Sequence, residues 1–257
     1  MKKMAKLSRF KEKENNTNED FEYLETLNEY FQTSIGTNIE KIQNFAKYVP
    51  RQDLTNFLAK YEIFKKILEI PGSIVECGIS FGGGLMTFAQ FSAILEPINY
   101  ERKIIGFDTF SGLTNLSEYE KNSPSEHAHE GGFAVDSFED LKKCVKIYDK
   151  NRFLNHVKKV EIIKGDAVKT IPKYLKENPA TIISLLYLDM LAYEPTKVAL
   201  EKFLPHMAKG SILVFNILND NNHWPGTTKA LLDTIGVKNI KLQKFNFSPY
   251  SQYAILE

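Results

Sequence analysis

Acidic residues recur in this chain where short apolar runs end, and each stands beside a turn residue. Glu76 lies in Ile74-Val75-Glu76-Cys77-Gly78, with Gly82, Gly83 and Gly84 close behind. A carboxylate inside a strand end can face a cationic ligand or accept from its amine. The glycines let backbone approach that ligand, because no Cβ intervenes. Asp108 closes a second apolar run, and its two oxygens suit the two hydroxyls of a vicinal diol such as a ribose. Asp166 follows Gly165 at the end of a third run. It can accept from the exocyclic amine of an adenine, or cap the helix expected from about Val168. Asp189 ends a fourth run. Two common nucleotide loops are excluded: a G-x-G-x-x-G fingerprint needs glycine where Ser80 stands, and no Gly-Lys-Ser/Thr occurs. Taken singly, each residue has an ordinary explanation as a tight turn or cap. The ordered set Glu76, Gly78, Asp108 and Asp166 points to one ligand held across several strand ends.

The elements that must position these residues follow from periodicity. Phe21, Leu24, Leu27 and Phe31 fall at helical spacing. A second amphipathic stretch follows Pro50, with Leu54, Phe57, Leu58, Tyr61, Phe64 and Leu68 on its expected core face and Pro71-Gly72 as its stop. From there the pattern alternates. Strands are expected at 73–77, 103–107, 160–164, 182–188 and 211–215, helices at 82–95, 194–207 and 227–235, and a terminal hairpin from 240–247 and 252–256. Alternation of this kind predicts a parallel sheet with helices on both faces, whose ligand sits beyond the carboxyl ends of the strands. The expected divisions are a disordered polar tail at 1–19, a helical cap at 20–70 packed on the core, and a ligand-binding α/β domain at 71–257.

Composition narrows the class. The chain has 257 residues, 43% hydrophobic and 25% charged, with 33 Lys+Arg against 32 Asp+Glu for a net charge of +1. There is no global basic field, which argues against nucleic acid as a partner. Cys77 and Cys144 are too far apart for a paired-cysteine metal or redox motif, and a reducing, cytoplasmic setting is the default. The apolar stretch 182–193 is short and interrupted by Asp189, so no membrane span is expected. The basic N-terminus has no apolar core of the kind a signal peptide carries.

The chain resembles class I S-adenosylmethionine-dependent methyltransferases, and within them the macrocin O-methyltransferase (TylF-like) family. The resemblance rests on Ile74-Val75-Glu76-Cys77-Gly78, Gly106-Phe107-Asp108-Thr109-Phe110-Ser111-Gly112-Leu113, Gly131-Gly132-Phe133, Lys164-Gly165-Asp166, Leu188-Asp189, Tyr193-Glu194-Pro195-Thr196 and Gly226-Thr227-Thr228-Lys229-Ala230. It implies a Rossmann-like fold with a seven-stranded, mostly parallel sheet, a terminal antiparallel hairpin and an N-terminal helical extension. It also implies methyl transfer to a hydroxyl of a sugar or glycosylated metabolite. Glu76 and Gly78 would hold the cofactor's amino-acid end, Asp108 the ribose and Asp166 the adenine, with Ser80, Gly82, Thr109, Phe110, Gly165 and Asp189 completing the cofactor site. A small-molecule acceptor is implied, and a homodimer or larger homo-oligomer is left open.

The departures from the family bear on mechanism. Where the family carries Asp-x-Asp after the fourth strand and Asp-Asp after the fifth to bind a divalent ion, this chain reads Asp189-Met190-Leu191 and Phe215-Asn216. Asp189 and Asn216 are all that remains as metal candidates, apart from Asp220 nearby, and a hard ion such as magnesium favours several carboxylates. No catalytic metal is therefore expected. Asp189 is then the first candidate for the base that takes a proton from an alcohol as it attacks. His127-Ala128-His129-Glu130 reads either as a solvated loop or as a lid, with His129 a second catalytic candidate. Tyr193, His223 and Trp224 are candidates for the acceptor wall. The alternatives are a metal-independent N-methyltransferase and a cofactor-binding homologue without activity. A nicotinamide enzyme is a further option, disfavoured by Ser80.

Overall fold

A computed structural model describes residues 16–257. Most of the expected tail at 1–19 lies outside these residues. Contacts divide the chain into two compact units that part between Leu54 and Thr55.

The first unit contains helices α1 (Asn18–Thr33) and α2 (Asn38–Gln43). Thr17 with Asp20, and Thr37 with Glu40, form reciprocal capping boxes that satisfy the first backbone donors. The helix therefore starts inside the segment expected to be tail. Lys41 Nζ donates to Phe31 O at 2.5 Å, and Tyr48 stacks on Tyr30 and meets Phe31 edge-on. Helix α3 (Arg51–Lys66) crosses the boundary between the units.

The second unit is built on six strands among the described residues: β1 (Ser73–Cys77), β2 (Ile104–Asp108), β3 (Val160–Lys164), β4 (Ile183–Leu188), β5 (Met207–Phe215) and β6 (Gln252–Ile255), in the spatial order β3-β2-β1-β4-β5-β6. All neighbours pair in parallel except β5 and β6. The expectation of seven strands is corrected to six. The stretch 240–247 makes one isolated backbone bridge to the sheet, Gln243 with Tyr253, and Phe245 then stacks on Tyr253 and Phe247 rather than continue a ladder. The crossovers carry α4 (Gly83–Leu95), α5 (Glu118–Lys121), α6 (Phe138–Asp149), α7 (Ala167–Glu177), α8 (Tyr193–Phe203) and α9 (Pro225–Thr234). Among the described residues no helix is long and apolar enough to cross a membrane.

Alternation along the strands sorts the core into two layers. Ile74, Ile104, Leu185, Tyr187, Ile212 and Val214 face Ile63, Phe64, Leu85 and Phe88, and Val75, Cys77, Phe107, Leu186 and Phe215 face Ile171, Leu200, Phe203 and Leu231. The buried face of α3 differs from the expected stripe. Ala59, Lys60, Ile63 and Phe64 are buried, whereas Phe57, Leu58 and Leu68 are exposed. A lysine reads as a solvent residue in any periodicity count; here it turns inward because a buried carboxylate awaits it.

Candidate active site

The strand order reverses at β1, whose neighbours are β2 on one side and β4 on the other, and ligands of such sheets bind at that switch point. Glu76 is paired in register with Tyr187 across β1 and β4. Gly78 follows with φ +87°, and a Cβ there would collide with the Asp189 carbonyl, so only glycine lets the ends of β1 and β4 approach this closely. Gly84 does the same for a side chain: a Cβ on it would strike Glu76 Oε1. Glu76 is thus packed under the first turn of α4, 3% exposed.

Asp108 gathers the loops around it. Its Oδ2 accepts from Ser80 N at 2.8 Å and its Oδ1 from Phe110 N at 2.7 Å. Ser80 and Phe110 both take positive φ, 49° and 57°, a strained conformation for non-glycine residues that the two hydrogen bonds hold in place. Each carboxylate oxygen keeps a further lone pair for a ligand. Ser80 Oγ and Glu76 Oε2 are buried without hydrogen-bond partners. Gly165 N donates to Asp108 O at 2.8 Å, which seats Asp166 beside this corner. Asp166 caps α7 through Val168 N at 2.9 Å and accepts from Asn115 Nδ2 at 2.7 Å. Gly82 is the left-handed N-cap residue of α4, and Thr109 Oγ1 donates to Gly112 O at 2.7 Å, closing the turn after β2.

Asp189 joins Glu76 and Asp108 in one electrostatic cluster. The residue is only partly exposed. Burial pushes its pKa up to about 7; an Asn216 hydrogen bond and Lys60 pull it down, while Glu76 and Asp108 add to the rise. Asn216 Nδ2 donates to Asp189 Oδ1 at 2.8 Å, and Asn216 Oδ1 accepts from Tyr187 OH at 3.0 Å. With the Tyr187 proton spent on Asn216, Ser251 Oγ is the donor in its 3.0 Å contact with Tyr187 OH. This chain of bonds fixes the amide of Asn216 with its nitrogen toward Asp189.

The remaining sequence candidates are placed as follows. His129 is exposed, with Nδ1 2.9 Å from Glu130 O. His127 stacks on Phe133, and Phe133 packs against Trp224, which is 4% exposed and so forms wall rather than open platform. His223 Nδ1 lies 3.6 Å from Asp220 Oδ1. Tyr193 is turned toward α9, its hydroxyl donating to Asp233 at 3.0 Å. Sequence reasoning missed Lys60, Tyr187 and Glu120. Glu120 is fully buried, accepts from Tyr193 N at 3.0 Å and from Ser117 N at 2.8 Å, and fills the space that Gly226 leaves. It anchors the segment after β2 to the start of α8. The one available signal for Lys60 was its position three and four residues before Ile63 and Phe64, a charge interrupting an apolar face.

A Rossmann-like sheet with carboxylates at successive strand ends defines the class I methyltransferases. The model of the macrocin O-methyltransferase (TylF) family matches residues 47–243, and the chain belongs to that family; it is an O-methyltransferase. A crystal structure of CalS11, a calicheamicin methyltransferase, superposes with a TM-score of 0.89 at 32% identity, covering 93% of each chain. The apo structure of CalS11, described as a TDP-rhamnose 3'-O-methyltransferase of calicheamicin biosynthesis, gives 0.80 at 32% identity over 93% of this chain and 95% of that one. The O-methyltransferase NovP shares the fold, with a TM-score of 0.62 at 15% identity over 79% and 80%. No curated protein sequence matches the chain.

Proposed function

We propose that the protein uses S-adenosylmethionine to methylate a hydroxyl of a sugar or glycosylated small molecule, with Asp189 as the base and without a divalent ion. The observation that carries this reading is the cluster of Glu76, Asp108 and Asp189 at the switch point, with Glu76 Oε2 and Ser80 Oγ buried and unpartnered. These atoms and the Gly78–Gly84 cradle fit the cofactor: Glu76 would accept from its ammonium and Asp108 from its ribose hydroxyls, with Asp166 and Asn115 at the adenine. When bound, S-adenosylmethionine supplies an activated methyl group. Asp189 Oδ1 is held by Asn216, so Oδ2 is the oxygen left to take the proton of an acceptor hydroxyl. The sugar acceptor is supported by the likeness to CalS11, a TDP-rhamnose methyltransferase.

The donor set does not fit the ion that the resemblance implies. Among the described residues no three His, Cys, Asp or Glu side chains are grouped to hold a metal. The Asn216 amide aims a donor at Asp189 and commits its oxygen to Tyr187, which leaves one carboxylate where a hard cation favours several. The test is incubation of purified protein with S-adenosylmethionine and TDP-rhamnose in excess EDTA, read by mass spectrometry. A monomethylated sugar nucleotide is expected. Product that forms only after magnesium is restored would overturn the metal-free part; no product on any sugar acceptor would overturn the whole.

A further inference from the structure

Lys60 has no part in the chemistry described above, yet it lies inside it. It is 8% exposed, and its ammonium is 2.8 Å from Glu76 Oε1, 3.4 Å from the Tyr187 ring centroid and 4.6 Å from that of Phe88. The rings cover it on two sides, so it reaches the site through Glu76 rather than by touching a ligand. Burial works against its charge, but Glu76, Tyr187 and Asp189 outweigh that and hold its pKa above the ordinary lysine value. An ammonium loses strong hydration on burial, and an apolar side chain would fill the same space without that penalty. What the ion pair adds is orientation. With Oε1 held by Lys60 and the carboxylate wedged against Gly84, Oε2 is the oxygen left without a partner.

We propose that Lys60 is a positioning residue for the cofactor's amino-acid end: by holding Glu76 Oε1 it presents Oε2 to the ligand's ammonium. The inference rests on the cofactor reading given above. The local charge is consistent with it. One lysine faces a cluster of three acids, Glu76, Asp108 and Asp189, so acid remains in excess to attract a ligand cation.

The experiment compares two ligands by calorimetry: S-adenosylhomocysteine, which carries the amino-acid end, and methylthioadenosine, which lacks it. Lys60→Met is expected to weaken S-adenosylhomocysteine by about ten-fold, the scale of a charge-assisted hydrogen bond, and to leave methylthioadenosine within about two-fold. On a Glu76→Gln background the same substitution should add less than about two-fold, because the two residues act as one unit. Methylthioadenosine binding reports the fold of each variant; if Lys60→Met does not bind it, Lys60→Gln replaces it with the same expectation. Equal weakening of both ligands, no weakening of either, or additive effects with Glu76→Gln would overturn the proposal alone. Failure of the wild-type protein to bind either ligand would instead remove the cofactor reading, and the proposal with it.

Discussion

At the scale of single residues, the site is governed by where carboxylates lose water. Asp189 follows the end of β4 beside the end of β1, and burial lifts its pKa to about 7. Below that pH the group is protonated and cannot accept a proton, and above it the carboxylate is available. The rate of methyl transfer should therefore rise as pH passes through about 7 and level off above it. Asp189→Asn should lower kcat by about a hundred-fold or more, the usual range for a general base. A pH profile flat across this region, or an Asn variant with near-normal kcat, would show that the base lies elsewhere. Glu76, Asp108, Asp166 and Asp189 were legible because an acid at a strand end is a local pattern. Lys60 and Tyr187 were not, since their roles depend on a partner in another element: Lys60 reads as a surface residue and Tyr187 as core.

Elements are held at the opposite end of the strands by another buried cation. Arg102, 3% exposed, donates to both oxygens of Glu96, to the carbonyls of Ile67, Ile70 and Gly72, and to Ser184 Oγ at 2.5 Å. It ties the segment after α3 to the starts of β1 and β4, and so helps set where α3 delivers Lys60. Its planar fork satisfies several acceptors at once, which neither lysine nor methionine can do. Arg102→Met removes the buried partner of Glu96, which keeps only the neutral Ser92 and Asn99 as hydrogen-bond donors, and takes away the Arg102 donor to Ile70 O; it should lower the unfolding free energy by about 3 kcal/mol, measured in urea. A loss under about 1 kcal/mol would show that the clamp is redundant. The strand starts and most helix starts were readable to within a few residues, but α6 was not expected from the sequence. The second arm of the terminal hairpin is β6, but the first, 240–247, was misread, because one-residue pairing and aromatic stacking look like a strand in a count of alternating apolar positions.

At the scale of the whole molecule, the loops that meet at Asp108 come from separate crossovers, so a ligand bridging them should stabilise the sheet unit as one body. Saturation with S-adenosylhomocysteine at about a hundred times its dissociation constant should add about 2.7 kcal/mol. For a chain of this size that corresponds to a rise in Tm of roughly 5–10 °C by calorimetric scanning. A Tm that does not move at saturation would show that the ligand does not bind this fold. The net charge of +1 provides no long-range field for steering, so recognition falls to the local cluster at the strand ends.

Sequence alone determined the alternating α/β class, the family resemblance and the acids at the strand tips, because periodicity, glycine placement and strand-end carboxylates are written in neighbouring residues. Tertiary structure decided which of those acids share one field, which oxygen of Glu76 is left open, and how Asn216 is turned. Those outcomes depend on groups far apart in the chain, Lys60 with Glu76 and Tyr187 with Asn216 and Ser251, whose burial and hydrogen bonds exist only once the sheet has brought them together.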